Sequence, residues 1–245
     1  MIEKVEGYII GEQNYGESSK IINIITKKYG IIGIMAKGAK KIKSPFFNKV
    51  NKFTLASFDI KYKKNKISTL ISLDVKDYFK NIKRDIEKIT YASIISELVN
   101  QICKYESNDS IYQIYASAIR KIDEGYTGLG ISNIFKLRML PFLGVELKLD
   151  SCCMCGSKKD IVTLSSSDGG YICKKCYKNE KIISESSIKL IRAFNFIEIN
   201  NITKFEISND VLLEIASFLD EYYEKYTGIY LKNNKLLNIL EKVNN

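Results

Sequence analysis

Apolar positions along the first 80 residues recur in short β-branched runs separated by turn residues. "VEGYIIGE", "SSKIINIITKKYG" and "IIGIMAKG" each predict a strand, with Tyr29-Gly30 as the turn between the second and third. "FTLASFDIKYK" alternates, setting Thr54, Ala56, Phe58, Ile60 and Tyr62 against Phe53, Leu55, Ser57, Asp59 and Lys61. Lys63-Lys64-Asn65-Lys66 then reads as a hairpin turn before the fifth run, "KISTLISLDV". Five short strands in so few residues suit a small antiparallel barrel, because closure removes the exposed edges of an open sheet.

From about residue 81 the period changes to that of a helix. Ile86, Ile89, Ile94, Leu98 and Ile102 form one apolar stripe, and Ile111, Ile114, Tyr115, Ala118 and Ile122 a second, with Asp109 or Ser110 as its cap. A third helix is predicted from about Ile131 to Leu143, interrupted by Pro141 and ended by Gly144. "SESSIKLIRAFNFIEI", "NDVLLEIASFLDEYYEKYTG" and "NKLLNILEKV" predict three more, with Gly228 as the stop of the middle one. The expected class is α+β and multidomain: a barrel over 1–80, then a helical domain over 81–245. No apolar run approaches ~18 uncharged residues, so a membrane span is not expected. "MIEKVEGYII" lacks the pattern of a signal peptide, so the expected compartment is the cytoplasm.

Charge sharpens the division. The chain carries a net charge of +10, but residues 1–80 hold 16 Lys against 7 acids, and the remainder is close to balanced. General lysine richness would spread the excess evenly, and it is not spread. Within the basic region "MAKGAKKIKSPFF" (35–47) concentrates Lys37, Lys40, Lys41 and Lys43 around Gly38 with no acid among them. These four are the candidate phosphate partners. Lys20 and the turn residues Lys63, Lys64 and Lys66 are weaker candidates, and Phe46, Phe47 and Tyr62 are either base-stacking rings or barrel core.

The helical part holds one specific signal. Cys152-x2-Cys155 and Cys173-x2-Cys176 are separated by 17 residues, the spacing of a two-knuckle tetrahedral zinc site. One structural zinc per chain is expected, in a module at about 150–178. Gly156 permits the tight turn after the first knuckle, and Asp168-Gly169-Gly170 marks a turn between two short strands. Cys153 offers a rival ligand, and Cys103 lies on an apolar helical stripe. Four thiolates leave no open coordination position, which argues against catalysis at the metal. The chain has no histidine, which removes imidazole bases, Ser-His-Asp triads and His-containing metal sites. Ser19 and Lys20 are adjacent on a strand and point to opposite faces, so they do not form a nucleophile pair. No enzyme class is favoured.

Taken in order, these segments resemble the bacterial recombination mediator RecO family. The resemblance rests on "EGYIIGEQNYGESSKIINIITKKYGIIGIMAKGAKKIKS", on "FKLRMLPFLG" before the cysteines, and on "EYYEKYTGIYLKNNKLLNIL". It implies that the barrel is an oligonucleotide-binding (OB) fold and that the zinc module is inserted in the helical domain. It further implies binding of single- and double-stranded DNA, annealing of complementary strands, and partnership with RecR, with the C-terminal tail of single-stranded-DNA-binding protein and indirectly with RecA. Location would be the bacterial cytoplasm, at the nucleoid. Arg138, in "FKLRML", is the candidate cation for that tail. The alternative is an RNA- or ribosome-associated zinc protein with an OB fold.

Overall fold

The computed structural model describes residues 1–103 and 109–229. Contacts divide them into two compact units, one over Met1–Gly125 and one from Tyr126 onward. The last expected helix, "NKLLNILEKV", lies outside the described residues.

In the first unit, β1 (Ile2–Tyr15), β2 (Ser19–Thr26), β3 (Gly30–Ala36), β4 (Leu55–Lys61) and β5 (Ser68–Asp77) close into a barrel in the order β1-β2-β3-β5-β4. The long β1 makes two edges at once, pairing with β2 through its C-terminal half and with β4 through its N-terminal half. Four of the five pairings are antiparallel as expected; the closing one, β3 with β5, is parallel and joins only Ile34 to Ser68 and Met35 to Thr69. The alternation of β4 is obeyed, with Ala56, Phe58 and Ile60 wholly buried. They meet Val5, Ile9, Ile22, Ile24, Ile34 and Leu70 in one core. Gly7 marks the tightest strand approach, because a Cβ there would stand 2.5 Å from the Ile25 carbonyl oxygen.

The apolar content of β1 exceeds what the barrel interior can hold, and the surplus recruits helices. Tyr8 packs its ring within 6 Å of Phe79, Tyr112 and Tyr115, at 5.9, 5.8 and 5.5 Å between centroids. A short α1 (Lys80–Lys83) leads to α2 (Ile86–Ile102), capped by Asp85, whose carboxylate accepts from the Glu87 and Lys88 amides. Ile86 is 63% exposed despite its place on the apolar stripe, because the first turn of α2 precedes the buried stretch that begins at Thr90. Cys103 is the half-buried cap residue after α2 rather than core. α3 (Asp109–Glu124) sets Ile111, Tyr115, Ala118 and Ile122 inward, and the Tyr115 hydroxyl is 3.0 Å from Ser96 Oγ. Asp109 and Ser110 lie in the first turn of this helix, not before it.

The second unit is built around α4 (Gly128–Met139), buried on nearly every side and packed by α5 (Glu185–Phe196) and α6 (Asn209–Thr227). A helix buried all round must satisfy its polar groups internally. Asn133 Nδ2 donates to the Leu212 carbonyl at 2.8 Å, although its buried Oδ1 has no partner among the described residues, and Lys136 Nζ meets Asp220 at 2.7 Å. The Tyr223 hydroxyl, its pKa raised by complete burial, donates to the Lys136 carbonyl. Pro141 ends the α-helix: residues Leu140–Leu143 continue as one 3-10 turn, closed by Gly144. Between α4 and α5 a small sheet orders β6 (Lys148–Cys152), β8 (Gly170–Cys173) and β7 (Ile161–Ser165). Gly228 stops α6 with a left-handed φ of 62°. No helix among the described residues is long and apolar enough to cross a membrane.

Replacing Gly7 with alanine forces the new methyl against a backbone carbonyl that cannot turn aside. The expected loss is about 1–3 kcal/mol, as for overpacking of a filled core. It would be read as a lowered thermal midpoint, with the melting of the second unit as internal control.

Candidate nucleic-acid interface and metal centre

The chain leaves β3 at Ala36 and enters β4 at Leu55, and the segment between carries the lysine cluster. It is a chain of tight turns fastened to its neighbours. Gly38 adopts φ +70° and donates its amide to Ser19 Oγ at 3.2 Å, while the Lys40 amide donates to the Ser18 carbonyl at 2.9 Å. Ala39, Phe46 and Val50 point inward and join the barrel core. Lys37, Lys40, Lys41 and Lys43 are left on the outside, all exposed, and none forms an ion pair among the described residues. A backbone pinned by its apolar residues thus presents four unneutralised ammonium groups.

The other charges of the region are used differently. Lys20 is half-buried, pairs with Glu12 at 3.1 Å and donates to Asn51 Oδ1 at 3.0 Å, so it is a strut across the barrel wall. Lys27 pairs with Asp109, Lys28 with Glu3, and Lys76 with Glu6. Lys52 reaches Ser93 Oγ and Lys83 reaches Thr54 Oγ1, and burial pushes both ammonium pKa values down. Lys63, Lys64 and Lys66 are exposed at the β4–β5 hairpin, whose turn is held by the Lys63 amide donating to Ser68 Oγ. The aromatic candidates divide. Phe46 is 9% exposed and belongs to the core, and Tyr62 stacks on Tyr29 at 4.4 Å against that core. Phe47 remains half-exposed beside the lysines.

In the second unit the two cysteine pairs converge. Cys152 ends β6, and the Gly156 amide returns to the Cys152 carbonyl at 2.9 Å, with φ +75° at Gly156 completing the turn. Cys173 ends β8, and the amides of Cys176 and Tyr177 return to its carbonyl at 3.0 and 2.9 Å. The β6–β8 pairing sets one turn beside the other. The sulfurs of Cys152, Cys155, Cys173 and Cys176 all lie within 4.8 Å of one another, an arrangement that can hold a metal ion. Cys155 Sγ is 3.6 Å from Cys173 Sγ. A tetrahedron with metal–sulfur bonds of about 2.3 Å has sulfurs roughly 3.8 Å apart, whereas a disulfide would need about 2.0 Å.

The electrostatics fit a cation. Burial opposes ionisation of Cys152, but the amides of Cys155, Cys173 and Met154 outweigh it and bring the thiol down to about 6. Cys176 goes the other way, pushed up to about 12 by hydrogen bonds from its own thiol to Cys155 and its neighbours and by the adjacent negative charge. Four sulfurs this close cannot all ionise without a positive centre between them. Cys153 stands outside the cluster, with its amide donating to the Tyr171 carbonyl and its thiol pKa raised by burial.

Arg138, the remaining candidate, is engaged: Nη1 donates to the Asn195 carbonyl at 3.0 Å and Nη2 to Glu198 at 2.9 Å. Phe196, 70% exposed, lies in the same short segment.

Comparison with known proteins assigns the family. The family model for the N-terminal part of recombination protein O matches residues 1–79, and that for its C-terminal part matches residues 83–235. The chain belongs to the RecO family. Relatives in this family of DNA repair proteins cover the chain end to end. The DNA repair protein RecO of Listeria monocytogenes serotype 4b is 31% identical over 248 residues, spanning 100% of this chain and 97% of its own length. Those of Bacillus pumilus and Halalkalibacterium halodurans are each 28% identical, over 99% of this chain. RecO membership accounts for the architecture of a closed five-stranded barrel followed by helices and a four-cysteine cluster.

Proposed function

We propose that this RecO-family protein is a non-enzymatic recombination mediator. It binds single- and double-stranded DNA, anneals complementary strands, and acts with RecR to bring RecA onto strands coated by single-stranded-DNA-binding protein in the bacterial cytoplasm. The observation that supports this most is the anchored loop bearing Lys37, Lys40, Lys41 and Lys43 without acidic partners. Annealing requires that two polyanions approach while their base edges stay free. Exposed ammonium groups on a fixed backbone neutralise phosphates, release counterions and read no sequence. Lys63, Lys64 and Lys66, on the hairpin at the opposite end of β3, are proposed as further phosphate contacts, Phe47 is a candidate stacking ring beside the loop, and Lys20 braces the wall behind it.

Changing Lys40, Lys41 and Lys43 together to alanine should weaken DNA binding for all sequences alike. The log–log salt slope should flatten by about two units, at ~0.7 for each phosphate left unneutralised on single strands. Annealing at the wild-type rate with an unchanged slope would remove the loop from the interface.

The metal is proposed to be zinc, one per chain, held by Cys152, Cys155, Cys173 and Cys176 in a structural role. The donors are four thiolates, which suit zinc and leave it no open position. When bound, the ion cross-links two turns that have little core of their own. Metal analysis should return one zinc per chain, absent from a Cys155→Ser/Cys173→Ser double variant whose barrel still melts as in the parent.

The tail of single-stranded-DNA-binding protein is proposed to meet the helical unit at Arg138 and the exposed Phe196, with a carboxylate of the tail replacing Glu198 as the partner of the guanidinium. Titrating a tail peptide against Arg138→Ala should show an affinity about tenfold lower. Equal affinities would dismiss Arg138.

A further inference from the structure

Summed along the sequence, the residues after 80 are nearly neutral and offer no reason to expect a polyanion surface. The fold sorts those charges. In the second unit, Lys136, Arg138, Lys181 and Lys189 each have a carboxylate partner. Lys158, Lys159, Lys174 and Lys175 are all solvent-facing and form no ion pair among the described residues. These four belong to the two cysteine turns.

The convergence of the four sulfurs sets residues 152–158 beside 173–178, and the Lys174 amide donates to the Asp160 carbonyl at 2.8 Å, tying the two stretches together again. The β7–β8 hairpin then separates the nearby acids. Ile161 pairs with Cys173 at the cysteine end, whereas Asp168 sits in the turn at the far end, accepting from Ser165 Oγ at 2.6 Å. Glu180 accepts the Lys178 and Asn179 amides at 2.8 and 3.2 Å. Asp160, beside Lys159, and Asp150, two residues before Cys152, are exposed carboxylates in these stretches, and neither forms an ion pair among the described residues. Two large side chains stand out with them: Met154, 57% exposed, and Tyr177, 36% exposed on a backbone held by its bond to Cys173.

We propose that the cysteine end of this module is a second surface for single-stranded DNA, separate in sequence from the barrel loop and borne by the other unit. Lys158, Lys159, Lys174 and Lys175 neutralise phosphates, and Tyr177 supplies a ring on which a base stacks. Unpaired cations beside an exposed aromatic on a rigid turn are the ingredients of sequence-tolerant single-strand binding. The inference rests on the reading that the chain binds and anneals DNA, and gives it a second contact. A tetrathiolate holding a divalent ion carries two negative charges, so lysines beside it could instead serve only the metal. That role requires neither Tyr177 nor Met154 in solvent, and it predicts a different experiment.

The test uses the full chain, a fluorescent oligothymidine at several salt concentrations, and a strand-annealing assay with zinc content measured in parallel. Changing the four lysines to alanine should leave zinc unchanged, flatten the salt slope by about three units at ~0.7 per phosphate, and slow annealing about tenfold. Changing them to arginine should restore both, and Tyr177→Ala should weaken binding without altering the slope. Loss of zinc in the alanine variant, with binding of the zinc-loaded remainder intact, overturns the proposal in favour of a metal-centred role. Wild-type binding in the alanine variant, with the barrel-loop variant impaired, overturns it and leaves the annealing function standing. If neither variant is impaired, both surface assignments fall while the function stands; if the parent chain neither binds nor anneals the oligonucleotides, the functional reading falls with them.

Discussion

Closure of the barrel is the constraint on which the first unit depends, and it is achieved by very little. β3 and β5 run parallel and share only two residue pairs, Ile34 with Ser68 and Met35 with Thr69. A connection between those strands cannot be a tight hairpin, because parallel neighbours need a crossover. The crossover is the segment from Ala36 through β4 and back, and the lysine loop is its first part. The seam therefore fixes where the basic segment leaves the sheet. The segment repays the dependence by sending Ala39, Phe46 and Val50 into the core beside Ile34.

The second unit solves a different problem. Its three-stranded sheet is short and offers few apolar side chains, with Leu149, Leu164 and Ile172 among those buried. A sheet of that size is marginal without help. On the proposed zinc reading, the ion held by the four converging sulfurs supplies a cross-link that the apolar surface cannot, while α4, enclosed by α5 and α6, carries the ordinary core. Burying α4 on all sides brings a lysine and an asparagine inside, and Asp220 and the Leu212 carbonyl are placed to receive them.

The sequence made local features legible and left non-local ones hidden. Strand alternation in β4, the glycine stops at 144 and 228, and the cysteine spacing are all set by neighbours a few residues away, and each was visible. β6 was not, because "KLDSC" is short and half polar and becomes a strand only by parallel pairing with β8. The parallel seam escaped for the same reason. Phe46 and Phe47 look alike in the chain, and only the packing of the crossover separates the core ring from the exposed one. Lys20 looks like a free cation in the chain because its distant partners, Glu12 and Asn51, are chosen by strand register. Regional charge averages misled in one further respect: near neutrality after residue 80 conceals lysines gathered at one end of a hairpin.

The pinned backbone of the lysine loop bears on the thermodynamics of association. Ordering a free segment on contact with a ligand costs roughly 1–2 kcal/mol per residue in backbone entropy. Here that ordering is completed during folding, through Ala39, Phe46, Val50 and the bonds to Ser18 and Ser19. What remains mobile are the lysine stems, each with about 2 kcal/mol of rotamer freedom, much of which survives when an ammonium group touches a phosphate without a fixed geometry. Such a surface gains affinity from a stationary scaffold while its contacts stay individually weak. On the proposed reading of the loop as a DNA contact, a strand held this way can slide and be released nucleotide by nucleotide, which a surface that folded around its ligand could not allow.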